Sequence, residues 1–130
     1  MNSSRQRQRL LQQAREDPDV LAVLLFGSAA RGEASSESDV DVCLILTPDK
    51  RDSLQLSSKR LAYLTEVDLD VQIFQELPLY IRHRVLKEGK VLFTRNEDAL
   101  YEQACRTVRE YEDYRPVYTT YLAEVARGGS

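Results

Sequence analysis

Val20-Leu-Ala-Val-Leu-Leu-Phe-Gly-Ser28 is an apolar run that stops on a glycine and a serine, and ten residues later comes Asp39-Val-Asp-Val-Cys-Leu-Ile-Leu46. A continuous apolar run of this length, bounded by turn residues, is expected to be a central strand covered on both faces. The second stretch alternates, so as a strand it puts Asp39, Asp41 and Cys43 on one side and Val40, Val42, Leu44 and Leu46 on the other. Two carboxylates therefore leave one strand end side by side. In an otherwise apolar strand they repel one another, and the fold gains little from them without a cation. The residues between, 29 to 38, are small and polar and read as a loop.

Outward from this pair, residues 4 to 16 read as a helix with the apolar stripe Leu10, Leu11 and Ala14, ended by Asp17-Pro18-Asp19. Thr47-Pro48-Asp49 is a turn, and Asp49 or Asp52 can cap a helix running to about Leu64, with Leu54, Leu61 and Leu64 as apolar positions. A third strand is expected over Val67–Phe74, with Val67, Leu69, Val71 and Ile73 on one face and Asp68, Asp70, Gln72 and Phe74 on the other. Residues 78 to 88 form a short helix with Gly89 as its C′ glycine, then a strand over Lys90–Thr94. Residues 97 to 126 are helical in composition, and Pro116 is expected to kink or split them. The fold class is α/β (α+β): a small mixed sheet flanked by helices. Residues 1–95 are expected to be the core, 96–126 a helical extension of the same domain, and 127–130 a disordered tail.

The chain has 130 residues, 42% of them hydrophobic, which suits one domain burying roughly two-thirds of its unfolded surface. Eighteen Lys and Arg against twenty-one Asp and Glu leave a formal charge of −3, without the basic excess of a direct nucleic-acid binder. Cys43 and Cys105 lie far apart and away from His83, which argues against zinc. Two free cysteines and an arginine-rich start without an apolar segment point to the cytoplasm, and no run is long enough for a membrane span. Arg5, Arg7, Arg9 and Arg15 read as a solvated helix face, Ser35, Ser36 and Ser38 as loop and capping residues, His83 as a surface residue, and Cys43 as core.

A nucleoside triphosphate with magnesium needs close backbone donors and hard oxygen ligands. Gly27 lets the backbone approach phosphates, Ser28 adds a hydroxyl and an amide, and Arg31 is placed to neutralise a phosphate oxygen. Asp39 and Asp41 are placed to hold two magnesium ions roughly 3.5 to 4 Å apart, the spacing of two-metal phosphoryl chemistry. A third carboxylate from a neighbouring strand would complete the site. Asp70 is the candidate, and Asp68 is its rival on the same strand face.

The pattern Gly27-Ser-Ala-Ala-Arg-Gly32 followed by Ser38-Asp-Val-Asp41 resembles the signature of the DNA polymerase β-type nucleotidyltransferase superfamily, and within it the minimal nucleotidyltransferases. The resemblance extends through Val67-Asp-Leu-Asp-Val71 and Leu86-Lys-Glu-Gly-Lys-Val-Leu-Phe93 to the C-terminal helix. In such proteins the third carboxylate commonly lies about nineteen residues before the glycine matching Gly89, a count that lands on Asp70. The resemblance implies catalytic and metal-holding roles for Asp39, Asp41 and Asp70, two Mg2+ ions, and ATP as substrate bound through Gly27, Ser28 and Arg31. It also implies pairing with a HEPN-family ribonuclease toxin in a hetero-oligomer, the chain acting as antitoxin by transferring AMP to a tyrosine of its partner. Transfer to a small-molecule hydroxyl and non-catalytic occlusion of the partner are the alternatives. Five of the seven tyrosines fall in the last third, and Tyr111, Tyr114, Tyr118 and Tyr121 follow helical spacing after Tyr101. Such a stripe suits either a protein interface or packing on the chain's own sheet.

Overall fold

The structure is a computed structural model that describes residues 3–26 and 41–126, with side chains described over 5–26 and 41–114. The element order is α1 (Ser3–Glu16), β1 (Val20–Phe26), β2 (Asp41–Leu46), α2 (Ser53–Leu64), β3 (Asp70–Ile73), a 3₁₀ turn (Phe74–Glu76), α3 (Leu79–Glu88), β4 (Lys90–Thr94) and α4 (Glu97–Ala126). Four strands form one mixed sheet in the order β3-β2-β1-β4, where β1 pairs antiparallel with β2 and β4, and β2 pairs parallel with β3. The α+β class expected from the sequence is the observed one.

β1 is apolar throughout because both of its faces are covered. Val23 and Leu25 join Val42, Leu44, Leu46, Val71 and Ile73 in a core closed by Leu10 and Ala14 of α1 and Tyr63 of α2. Ala22 and Leu24 join Cys43, Ile45 and Phe74 in a second core on the opposite face, closed by Val85 of α3 and by Ala99 and Leu100 of α4. Cys43 is fully buried, and burial pushes its thiol up, so it stays protonated as a core residue.

The third strand is shorter than its alternating pattern implies. Val67 N donates to Tyr63 O at 3.1 Å and Asp68 N to the Gln6 side-chain oxygen at 3.0 Å, so these donors serve the helix ends rather than a strand ladder. Pairing starts at Asp70 and ends at Ile73. Beyond it, Gln75 replaces a strand residue: its side chain accepts from Leu46 N (3.2 Å) and donates to Leu46 O (2.9 Å). The burial alternation holds even where pairing fails, since Val67 and Leu69 still enter the first core.

Asp52 rather than Asp49 caps α2. Its carboxylate accepts from Gln55 N (2.8 Å), while the Gln55 side chain accepts from Asp52 N (2.9 Å), a reciprocal capping box. Leu56, Tyr63 and Leu64 pack inward from α2, whereas Leu54 and Leu61 are 75% and 61% exposed. The Tyr63 hydroxyl donates to Asp17 at 2.9 Å. Lys59 adds bonds to Asp17 and Asp19, each at 3.0 Å. Arg95 closes the same corner, donating through Nη2 to the carbonyls of Ala14, Arg15 and Asp17 and through Nε to that of Val20. This polar corner lies where α1 turns into β1, at the end of β1 remote from Phe26.

Gly89 does follow α3, but not in the left-handed conformation of a C′ glycine; its φ is −76° and ψ 157°. A β-carbon there would lie 2.5 Å from Val85 O, a carbonyl of the last turn of α3 itself, and 3.3 Å from Leu25 O of β1, so lack of space against the end of α3, with β1 close behind, is what demands glycine. Pro116 does not split α4, which is continuous over Glu97–Ala126. The expected tail at 127–130 lies outside the described residues.

Candidate functional site

Three strand ends meet at one edge of the sheet. The antiparallel register places Phe26, the last residue of β1, across from Asp41, the first of β2. The parallel register places Asp41 across from Asp70, the first of β3. Directly paired residues project to the same face, so Asp41 and Asp70 stand side by side on adjacent strands. Residues 27–40 connect Phe26 to Asp41, and both flanks of that connection are therefore held at this edge. Gly27, Ser28, Arg31 and Asp39, together with Ser35, Ser36 and Ser38, lie outside the described residues.

Asp68 is not paired with β2, and its backbone is tied to Gln6 of α1. Asp70 is exposed, and its carboxylate is oriented by Gln72, whose side-chain amide donates to Oδ1 at 3.0 Å. The sequence places Gln72 on the Asp70 face by simple alternation; the hydrogen bond itself has no signal in the sequence. Like charges directly opposite each other on a sheet are destabilising, and a divalent cation removes that cost. Carboxylate oxygens are hard donors that fit Mg2+ by type, and Asp41 and Asp70 are the described residues that would hold it. Cys43, next along the same face of β2, is buried and protonated, so it adds no ligand.

Other expectations resolve without joining this site. His83 is half-buried, and its ring stacks on Tyr111 at 3.9 Å between centroids, so it serves the packing of α3 on α4 instead of lying free at the surface. The tyrosines of α4 divide: Tyr111 packs on its own chain, whereas Tyr101 and Tyr114 are 72% and 63% exposed. The side chains of Tyr118 and Tyr121 lie outside the described residues. Among the described residues no helix is long and apolar enough to cross a membrane.

A Methanocaldococcus jannaschii protein named as a protein adenylyltransferase is 38% identical over 74 residues, a stretch that is 57% of this chain and 56% of that protein. The match thus spans little more than half the length of that relative. Among solved structures, a chain of a toxin–antitoxin complex with AMP-PNP superposes with a TM-score of 0.69 at 21% identity, covering 94% of this chain and 97% of that one. A chain of the tri-AMPylated Shewanella oneidensis HEPN toxin in complex with its MNT antitoxin gives a TM-score of 0.67 at 18% identity, covering 97% and 99%. At these identities the likeness is one of fold. The family described as polymerase beta, nucleotidyltransferase matches residues 8–98, which include the whole sheet and the Gly27-Ser28, Asp39, Asp41 and Asp70 set; the chain belongs to the polymerase β nucleotidyltransferase family.

Proposed function

We propose that this chain is an antitoxin-type protein adenylyltransferase, transferring AMP from ATP to a tyrosine hydroxyl of a HEPN-family ribonuclease toxin with which it assembles. The observation that carries the reading is the register pairing of Asp41 with Asp70 at the sheet edge where the Gly27-Ser28 connection begins. The names of the relatives support the choice of donor and partner: a protein adenylyltransferase, and complexes of an MNT antitoxin with an AMPylated HEPN toxin.

In this reading Gly27 and Ser28 cradle the phosphates through backbone and hydroxyl donors, and Arg31 offsets their charge. Asp39, Asp41 and Asp70 would hold two magnesium ions, which when bound lower the charge on the triphosphate and activate the acceptor oxygen. The tyrosine oxygen forms a bond to the α-phosphorus, the bond from that phosphorus to pyrophosphate breaks, and the phenolic proton passes towards the Asp70 carboxylate. Residues 1–95 supply this chemistry and the helix over 96–126 extends the same domain towards the partner. Two free cysteines, Cys43 and Cys105, are in keeping with a reducing cytoplasm. A bulky anion added beside a ribonuclease site would exclude RNA by sterics and like-charge repulsion.

The test is to incubate the protein with ATP, magnesium and a HEPN protein encoded beside it, and to weigh that partner by intact mass spectrometry. Gain of one or more AMP units, absent with Asp41→Asn, is the expected result. A partner that gains no mass yet is inhibited equally by wild type and Asp41→Asn would replace transfer by occlusion.

A further inference from the structure

We infer that Gln72 is a positioning residue for Asp70, holding its carboxylate in the rotamer that faces Asp41 and thereby setting divalent-cation affinity at the sheet edge. The inference rests on the nucleotidyltransferase reading of that edge, and it assigns a task to a residue outside the Gly-Ser and Asp-x-Asp pattern.

The geometry is specific. Gln72 is half-buried in β3, two residues beyond Asp70 on the same face, and pairs in register with Cys43 of β2. Its Nε2 donates to Asp70 Oδ1 at 3.0 Å, the hydrogen bond made to that carboxylate among the described residues. Asp70 is exposed, at the first position of an edge strand, and a carboxylate so placed otherwise samples several rotamers and swings towards water. Its like-charged neighbour Asp41 adds a further push outward. The amide N–H counters both effects, because it ties one oxygen down and puts a partial positive charge beside it, leaving Oδ2 for a cation. Bonds of this kind, which orient a ligand without touching the metal, are typically worth ten- to a hundredfold in affinity. Packing alone does not account for the residue, since an aliphatic side chain would cover Cys43 as well.

Two variants separate orientation from packing. Gln72→Met keeps length and volume and removes the donor; Gln72→Glu keeps the shape and replaces the donor with a like charge. Mn2+ binding to the nucleotide-free protein, followed by electron paramagnetic resonance, is expected to weaken about tenfold in Gln72→Met and further in Gln72→Glu. In the same proteins kcat for AMP transfer should fall about tenfold with KM for ATP within about twofold, and metal-free thermal unfolding should stay close to wild type. Mn2+ affinity and kcat in Gln72→Met equal to wild type would overturn the inference, as would a loss that is matched by a lower metal-free unfolding temperature. The outcomes also separate the two levels of reading. If wild type binds Mn2+ and Asp41→Asn does not, while Gln72→Met is unchanged, the positioning role alone fails; if wild type binds no Mn2+, both fail.

Discussion

Asp41 and Asp70 are register partners across the parallel pair β2 and β3, while Asp68, two residues earlier and of the same chemistry, is tied by its backbone to Gln6 of α1. A two-residue offset along a strand moves a side chain by nearly 7 Å, so mutation can tell the two carboxylates apart. Asp41→Asn and Asp70→Asn are therefore each expected to slow AMP transfer by more than about a hundredfold, and Asp68→Asn by less than about threefold. Single-turnover assays with the proposed HEPN-family partner check this. In metal-free buffer Asp70→Asn should unfold close to the wild-type temperature, since that carboxylate is exposed; a clear drop would assign it to the fold instead.

Gly89→Ala should destabilise the protein by about 1–3 kcal/mol in urea unfolding, the usual range for forcing extra volume into a packed contact. The new β-carbon would meet Val85 O at 2.5 Å, and that carbonyl already accepts Gly89 N at 2.7 Å, so it has little room to move. The backbone at Gly89 is one that alanine adopts freely, and reduced unfolded-state entropy would favour alanine by about 0.4–1 kcal/mol. Stabilisation by the substitution would mean that α3 can shift away from β1.

Arg95→Ala should cost about 1–2 kcal/mol, because the guanidinium binds three carbonyls at the C-terminal end of α1 and one in β1, yet is partly open to solvent. Arg95→Lys is expected to recover less than half of this, since an ammonium cannot reach the same fan of acceptors. Equal stability of the alanine and wild-type proteins in chemical denaturation would remove the capping role.

Stability should be flat through neutral pH and fall above about pH 9. Three groups hold their protons more tightly when folded: burial raises the Cys43 thiol above its ordinary 9.0, burial and then the bond to Asp17 raise Tyr63 above 10.0, and bonds to Asp19 and Asp17 outweigh desolvation to raise Lys59 above 10.5. Above those ordinary values the unfolded chain releases protons that the folded chain keeps, so each contribution is present below them and is lost as pH rises. Cys43→Ala should move the onset of alkaline destabilisation from about pH 9 to about pH 10, measured as the urea midpoint against pH. On the acid side, bonding to Lys59 lowers Asp19 below 3.8, so its small contribution is lost only below that value.

Much of this molecule is written locally. The apolar run Val20–Phe26 announced a strand covered on both faces, and alternation in Val67–Phe74 placed Val71 and Ile73 inward and Asp70 outward; both patterns report burial, which is the strongest force along the chain. The Gly27-Ser28 and Asp39-x-Asp41 spacing identified the family, because that chemistry needs those residue types in that order. Alternation also misled where hydrogen bonding departed from burial: Val67 and Leu69 are core residues outside the paired strand Asp70–Ile73. In α2 the sequence marks apolar positions without saying which of them face inward: Leu64 packs on the core, whereas Leu54 and Leu61 are exposed.

What the sequence by itself determined is the set of side chains and the face each one takes, because a period of two or 3.6 residues is a local property of the backbone. Only the tertiary structure decided neighbours: that Asp70 and not Asp68 lies across from Asp41, that Gln72 holds Asp70, and that Gly89 is needed for lack of space beside the Val85 carbonyl and β1 rather than for a left-handed turn. Register between strands is set by which cores close and where the helix ends take up backbone donors, as Gln6 does for Asp68, and those contacts join residues far apart in the chain.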